Sequence, residues 1–337
     1  MADDMVIVKA PALKKMAVKR LVEGGLREPD AQTVAEVLIF ADLRGVHSHG
    51  VLRVEHYAKR IQSGGINLDM KLKLAKLKPS VGLLDAQGGM GHLAAKYAMG
   101  EAIKIAGKQG VALVGVKNAS HCGALAYYAQ MAIDAKMMAM VCVNTDKCMA
   151  PFGGKGSFFG TNPFAFGFPG KKDAILLDMA TSEVAFGKVL HAREKNIKIP
   201  DNWGVDEEGR KCSDPHKVVS VVPFGGPKGY GIAVMVEALT GLMIGGVFGP
   251  HLTLMYGDYG KQRNLSNFFF VVDPSVFGAG PSYLAVAQKM IDELHAHPTA
   301  PGVEKVLIPG EIEYRNMARY KKEGIPVPQS VYQFLSA

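Results

Sequence analysis

Three short apolar runs, VGLLDA (81–86), VALVGV (111–116) and MAMVCV (138–143), most constrain how this chain folds. Each has the length and apolar density of a buried strand. Between them lie HLAAKYAMGEAIKIAGKQG and ALAYYAQMAIDAKM, which are long and periodic enough for helices. The alternation predicts an α/β chain whose ligands sit at the carboxyl ends of its strands.

The flanks differ in texture. Before the first run, ALKKMAVKRLVEGG, PDAQTVAEVLIFADLRG and GVHSHGVLRVEHYAKR read as three helices, each closing at or near glycine. From residue 147 the text is rich in glycine and proline. AILLDMA then reads as a strand, with a helix expected from about Thr181. The run GIAVMVEALTGLMIGGVFG from 231 approaches membrane-spanning length, but Glu237 lies inside it, so a buried core helix is expected. FFFVVD (268–273) reads as a strand and PSYLAVAQKMIDELHAH as a helix, and the last forty residues are mixed and polar.

The 337 residues and 36.1 kDa suggest two domains. A formal charge of +8 raises a rival class, a basic non-catalytic nucleic-acid-binding protein. The lysines are scattered, however, with no aromatic-interleaved basic stripe, so no nucleic-acid partner is expected. Four cysteines form no CxxC pair, and MADDMVIVKA lacks a basic-then-apolar leader pattern, so the expectation is a cytoplasmic protein with no membrane partner.

Candidate chemistry concentrates in GVHSHGVLRVEHYAKR. On one helix capped by Ser48, the residues His49, Arg53 and Tyr57 would share a face suited to a small anion. His121 follows the strand VALVGV where the next helix is expected to begin, so it is the stronger single candidate; a capping or structural histidine is the competing reading for both. Zinc on His47, His49 and His121 lacks a supporting motif, so no metal is expected. Cys122 reads as a packing residue rather than a nucleophile.

Lys228 would oppose the dipole of its helix unless an anion such as a phosphate accompanies it; a solvated surface lysine is the alternative. Asp146, after the strand MAMVCV, would polarise a histidine, accept substrate N–H groups, or merely cap a turn. GMGHLA (89–94) matches a dinucleotide fingerprint, but the next strand ends VGVKNAS, without the acid that pattern wants for the ribose.

Taken together, ADLRGVHSHGVLRVEHYAKRIQSGGIN, NASHCGALAYYA, APFGGKGSFFGTNPFAFGFP, LDMATSEVAFGKV, PFGGPKGYGIAVMVEALTG and IPGE resemble the malate/L-lactate/sulfolactate dehydrogenase family, over residues 10 to 335. The resemblance implies a non-Rossmann NAD(P)-binding mixed sheet (73–280) and a helical domain from residues 6–72 with 281–337. It also implies a homodimer with the active site near the interface, and demotes GMGHLA to a turn. By motif, His121, His49, Asp146 and Ser48 would be catalytic, with His121 as the acid/base. Arg53, Tyr57 and Thr145 would bind substrate. His49, Thr161, Asn162, Asp178, Met179, Ala180, Lys228, Gly229, Pro309, Gly310 and Glu311 would hold NAD or NADP. The implied reaction is reversible hydride transfer on a small anionic 2-hydroxy acid, with (S)-ureidoglycolate to oxalurate favoured and malate, lactate or sulfolactate as rivals. Lys147 departs from the family pattern, where a proline often follows the residue at 146.

Overall fold

The computed structural model describes residues 5–278, 280 and 282–337. Residues 1–4, part of the stretch read for a leader pattern, and Pro281, the first residue of an expected helix, lie outside the described residues.

The chain opens with β1 (Met5–Val8), α1 (Ala10–Glu23), α2 (Glu28–Leu43) and α3 (Val54–Gln62). The sheet region follows: β2 (Ala75–Lys78), β3 (Val81–Asp85), α4 (Gly91–Gln109), β4 (Val111–Ala119), α5 (Ala126–Asp134), β5 (Met138–Val143), β6 (Phe164–Pro169) and β7 (Ala174–Met179). Next come α6 (Phe186–Glu194), β8 (Gly204–Val205), β9 (Ser220–Val221), α7 (Pro227–Glu237) and β10 (Leu265–Val272). The chain ends with α8 (Ser282–Ala296), α9 (Glu311–Glu323), β11 (Ile325–Pro328) and α10 (Gln329–Ser336).

Seven strands form one mixed sheet in the order β2-β3-β4-β10-β5-β6-β7. The neighbours β3 and β4 run parallel, as a crossover through α4 permits, and the other neighbouring pairs are antiparallel. The three runs that predicted the sheet are β3, β4 and β5, but β10 slots between the last two. Its near-continuous LSNFFFVV suits a central position covered on both faces.

This order has a direct consequence for function. Antiparallel to both neighbours, β10 leaves β4 and β5 pointing the same way, and β7 follows suit through β6. The residues after β4, β5 and β7 therefore gather at one sheet edge, together with the residues just before β10. His121, Asp146, Asp178 and Arg263 all belong to that edge.

Helices α4 and α5 pack on one face around Ala95, Ala98, Met99, Tyr128 and Phe269. A second apolar core joins α1, α2, α3, β1, β11 and α10 through Leu13, Leu21, Leu38, Tyr57 and Ile325. Strands β1 and β11 pair antiparallel and tie the chain's two ends together. Helix α8 lies against the sheet instead: Tyr283 donates to the Lys136 carbonyl at 2.6 Å, and Gln288 accepts the Asp173 amide at 3.0 Å. Helix α8 thus lies against the sheet, while β11 and α10 belong to the second core.

Three expectations need correction. The helix placed near Thr181 starts at Phe186, because Thr181 is held extended by its N–H and Oγ1 bonds to the Thr161 carbonyl, each 2.8 Å. The strand β6 hides in the glycine- and proline-rich text as FAFGFP, alternating buried and half-buried. The apolar run from 231 is not a buried core helix: α7 buries Ala233, Val236 and Glu237, then widens into a π turn at Ala238–Leu242. Its other face leaves Val234, Met235, Leu242 and Met243 exposed. Among the described residues, no helix is long and apolar enough to cross a membrane.

GMGHLA is not itself a turn: the turn precedes it at residues 87–88, Gly89 bridges to Asn67, and Gly91 to Ala94 already belong to α4. A Cβ on Gly91 would lie 2.1 Å from the Ser120 carbonyl oxygen, and the Gly91 N–H is taken by Ser120 Oγ at 2.9 Å. The glycine therefore serves close packing of α4 on the end of β4.

Candidate active site

The segment after α2 is not one helix. Two 3₁₀ turns, His47–His49 and Val51–Arg53, precede α3 and are separated by Gly50 in an extended conformation. Buried Asp42 imposes the break: it accepts from His47 Nδ1 at 2.9 Å and from the Val51 amide at 2.8 Å. A Cβ at Gly50 would fall 2.0 Å from Asp42 Oδ1, so only glycine fits. His49, Arg53 and Tyr57 accordingly do not share a helical face by four-residue spacing. Ser48 is not a helix cap either; its Oγ lies 3.0 Å from His49 Nδ1.

The folded segment nonetheless brings these side chains together. Arg53 Nε donates to the Ser48 carbonyl at 2.7 Å, folding the guanidinium back over the turn. The His49 ring stacks on His121, with centroids 5.6 Å apart. Tyr57 Oη lies 2.7 Å from His121 Nδ1, and the Gly123 N–H approaches the same nitrogen at 3.3 Å. His121 sits in the loop between β4 and α5, not at the helix start expected from the sequence.

Burial governs the protonation of this cluster. Desolvation, assisted by the Arg53 charge, lowers His49 to about 4. Desolvation first, then the charges of His49 and Arg53, drives His121 well below the usual histidine range. A third imidazole, His92, lies 6.2 Å from the His121 centroid, and neither of its ring nitrogens has a partner; burial lowers it to about 3. Near neutral pH all three rings are uncharged. Burial also raises the Tyr57 phenol, which keeps its proton.

Beside these rings opens a cleft of about 610 Å³, within the range of small-molecule and cofactor sites. Its wall includes Ser48, His49, Thr161, Asp178, Met179, Ala180, Pro309 and Gly310, all singled out from the sequence. Asp178 is exposed on that wall and accepts the Ala126 N–H at 2.8 Å; the protein packed around its carboxyl raises it to about 6. Gly310, at φ +91°, brings its turn onto β7, where the Leu176 N–H donates to the Pro309 carbonyl at 3.0 Å.

Other predicted contacts are not at the wall. Asn162 is fully buried and bridges the Thr145 amide (3.2 Å) to Glu237 (2.6 Å), so its side chain braces the loops behind the cleft. The Thr145 backbone is held in this brace, away from the lining. Gly229 is buried because a Cβ would collide with the Phe224 carbonyl, and Lys228 is exposed on the first turn of α7, outside the lining. Glu311 lies behind the turn: burial opposes its charge, but hydrogen bonds from Lys305, His295 and Arg315 outweigh it and hold the carboxyl at about 2. Asp146 contacts no histidine. Its carboxylate pairs with Arg263 and accepts the Met255 N–H at 2.9 Å.

The structure adds residues that the sequence reading passed over. Arg44 lines the cleft, lies over the rings of Phe40 and Tyr314, and has a buried Nη1 without a partner. Glu313 lines the same wall. Tyr256 takes a hydrogen bond from Arg53 Nη1, and Arg60 ties down the segment around it by donating to the carbonyls of Leu254, Met255, Asp258 and Lys261. The one available signal was the polar, tyrosine- and arginine-bearing stretch MYGDYGKQR ahead of an apolar strand.

The strand ends thus bring a neutral histidine pair and an arginine without a carboxylate partner among the described residues to the side of the cleft, on a mixed sheet whose order is not that of the doubly wound dinucleotide fold. The chain belongs to the malate/L-lactate dehydrogenase family, whose model matches residues 8–336. It is 39% identical over 329 residues to ureidoglycolate dehydrogenase (NAD(+)) of Escherichia coli (strain K12), covering 97% of this chain and 94% of that protein. The solved sulfolactate dehydrogenase of Methanocaldococcus jannaschii superposes with a TM-score of 0.91 at 36% identity, covering 98% of this chain and 95% of that one. Malate dehydrogenase from Pyrococcus horikoshii OT3 gives 0.89 at 33% identity, covering 98% and 94%.

Proposed function

We propose that this protein is a nicotinamide-dependent dehydrogenase of a small 2-hydroxy acid, with (S)-ureidoglycolate the favoured substrate and NAD the favoured cofactor. The observation that carries the reading is the contact of His121 with Tyr57 and His49 beside Arg53, at one side of the cleft. The names of the relatives support the substrate class and, for ureidoglycolate dehydrogenase (NAD(+)), the cofactor.

The cleft residues fit a dinucleotide. Arg44 has a buried N–H that no protein group satisfies, which suits an anionic or carbonyl oxygen. The Pro309–Gly310 turn and the Asp178–Ala180 strand end offer backbone groups along the wall. When bound, the nicotinamide supplies the two-electron chemistry.

The protein's own part is to hold the acid and manage one proton. Arg53 is free of any carboxylate partner among the described residues, so its guanidinium can grip the substrate carboxylate through paired N–H donors. His121 exchanges the hydroxyl proton. A phenol both donates and accepts, so Tyr57 keeps Nδ1 hydrogen-bonded in either ring tautomer, donating when Nδ1 is bare and accepting when it is protonated. Only in the tautomer with Nδ1 protonated and donating to Tyr57 Oη is Nε2 bare, and in that form Nε2 takes a proton in oxidation and returns it in reduction. The low proton affinity of the buried ring keeps it in the neutral form that oxidation requires.

The exposed apolar face of α7 and its π turn suits a second copy of the chain, giving a homodimer. Four unpaired cysteines suit a reducing cytoplasm. A panel of 2-hydroxy acids with NAD and with NADP, followed by absorbance of the reduced nicotinamide, tests the reading. Turnover of ureidoglycolate with NAD ahead of malate and lactate is expected; no turnover of any acid with either cofactor rejects it.

A further inference from the structure

The strand order brings Asp146, after β5, against Arg263, two residues before β10. Arg263 is 2% exposed, and its three kinds of N–H meet different fates. One terminal nitrogen pairs with Asp146, and Nε donates to the Thr253 carbonyl at 2.9 Å. The other terminal nitrogen, Nη1, is buried with no partner among the described residues. Both oxygens of Asp146 are engaged: one is on Arg263 and the other accepts the Met255 N–H. An unmet N–H on a buried cation is costly to keep, more so than an unmet neutral group.

The surroundings say what it is kept for. Tyr256, on the same Thr253–Arg263 segment, receives Arg53 Nη1, which places the carboxylate-gripping arginine and Arg263 on two sides of one segment. Arg263 is paired with Asp146, whereas Arg53 has no carboxylate partner among the described residues, so its positive charge stays uncompensated. The Arg263 charge is also felt at Tyr57 and His121, which puts it in the neighbourhood of the proton-transfer pair.

We propose that Arg263 is a specificity-determining residue that receives the tail of the substrate, and that Asp146 positions Arg263 instead of meeting substrate itself. The inference rests on the dehydrogenase reading above. Arg53 holds the carboxylate beside the 2-hydroxyl; Arg263 Nη1 then donates to an acceptor oxygen at the opposite end. The tail it selects is one bearing a carbonyl, carboxylate or sulfonate oxygen. A ureido tail qualifies through its carbonyl oxygen, not through its N–H groups. A plain alkyl tail leaves the buried donor unmet. Nη1 is closed off from solvent, so for the tail to reach it the Thr253–Arg263 segment, which Arg60 ties down, must shift when substrate enters.

The test uses the full-length protein with NAD and three 2-hydroxy acids sharing one head but ending in an alkyl, a ureido and a carboxylate group. Steady-state constants are measured for the wild type, Arg263→Met, Arg263→Lys and Asp146→Asn. In Arg263→Met, the kcat/KM ratio of each acceptor-tailed acid to the alkyl-tailed acid should fall about 10- to 100-fold, the worth of one charged hydrogen bond, with most of the change in KM. Arg263→Lys, which keeps the charge against Asp146, should fall less but in the same sense. If the methionine variant fails to fold by thermal melting, the lysine variant decides: a lowered ratio supports the proposal and an unchanged one overturns it. Equal loss for all three tails assigns Arg263 a structural role and overturns it. In Asp146→Asn, the ureido and carboxylate tails should suffer alike; loss confined to the ureido tail means that Asp146 itself receives N–H groups, which also overturns it. A wild type inactive on all three acids refutes the dehydrogenase reading and the inference with it, whereas an active wild type with unchanged ratios in the variants refutes the inference alone.

Discussion

The two ends of the substrate region are built on opposite principles. The proton-handling end, where His121, His49, His92 and Tyr57 meet, is organised by burial, ring packing and a few short-range hydrogen bonds on the framework of α3 and β4. The anion-handling end, with Arg53, Tyr256 and Arg263, depends on one irregular segment held by guanidinium-to-carbonyl bonds across about 200 positions of sequence, the Arg60 bonds foremost. The first suppresses charge and the second concentrates it. A reaction that moves a proton while holding an acid needs both, and the contrast assigns chemistry to one end and substrate choice to the other.

The sharpest way to break that division is to remove the ring at the first end. His121→Ala should lower the oxidation rate by about 100- to 10,000-fold, the usual worth of a general base, while cofactor binding measured by fluorescence is retained. Near-normal turnover would transfer the role to His49. Loosening the second end should look different. Arg60→Ala removes four carbonyl contacts, and the expected result is a KM for the acid raised about 10-fold with a smaller change in kcat. A kcat loss as large as that of the His121 variant would show that the ends are not separable.

The same contrast explains what could be read from the sequence. At the proton end His49, Tyr57 and His121 were legible because they lie in two compact stretches, HSHGVLRVEHY and ASHCG, and because β4 is a plain apolar run ending just ahead of His121, whereas His92, in GMGHLA, was passed over. Even there, the helix drawn through His49, Arg53 and Tyr57 was wrong, since nothing local reveals that Asp42 reaches forward to Val51 and forces Gly50 out of the helical region. The anion end was barely legible. Its membership depends on β10 entering the sheet between β4 and β5, a pairing between residues more than 100 positions apart that no periodicity encodes. Asp146 drew notice by its place after a strand, but its partner Arg263 lies 117 positions away and no local pattern pairs the two. Likewise Asn162, Gly229 and Glu311 stand in motif positions beside the cleft, yet their side chains or backbones brace its walls, because each is consumed by neighbours that the chain supplies from elsewhere.

A smaller effect tests whether Tyr57 belongs with the chemistry. Tyr57→Phe leaves the ring packing against His92 but removes the hydroxyl that meets His121 Nδ1, so kcat should fall by about 5- to 10-fold, one neutral hydrogen bond's worth. An unchanged kcat with a raised KM would move Tyr57 to the anion end.

The finest probe is acidity, because the two ends act on each other through charge. Burial and the nearby Arg53 cation disfavour the imidazolium forms of His49 and His121, so both proton affinities are lowered. A base works only while unprotonated, and a lowered pKa keeps it unprotonated further into acid. The acid limb of the kcat/KM profile for oxidation should therefore have its midpoint below 6.5, where a solvated histidine would place it. Arg53→Gln removes a like charge from both rings, which eases their protonation and should move that midpoint upward, toward neutral pH, in addition to weakening acid binding. The measurement is a pH–rate profile of the two proteins at saturating cofactor. A wild-type midpoint at or above 6.5, or a downward move in the variant, would mean that the guanidinium does not act on the ring that exchanges the proton, and the two ends would have to be treated as independent sites.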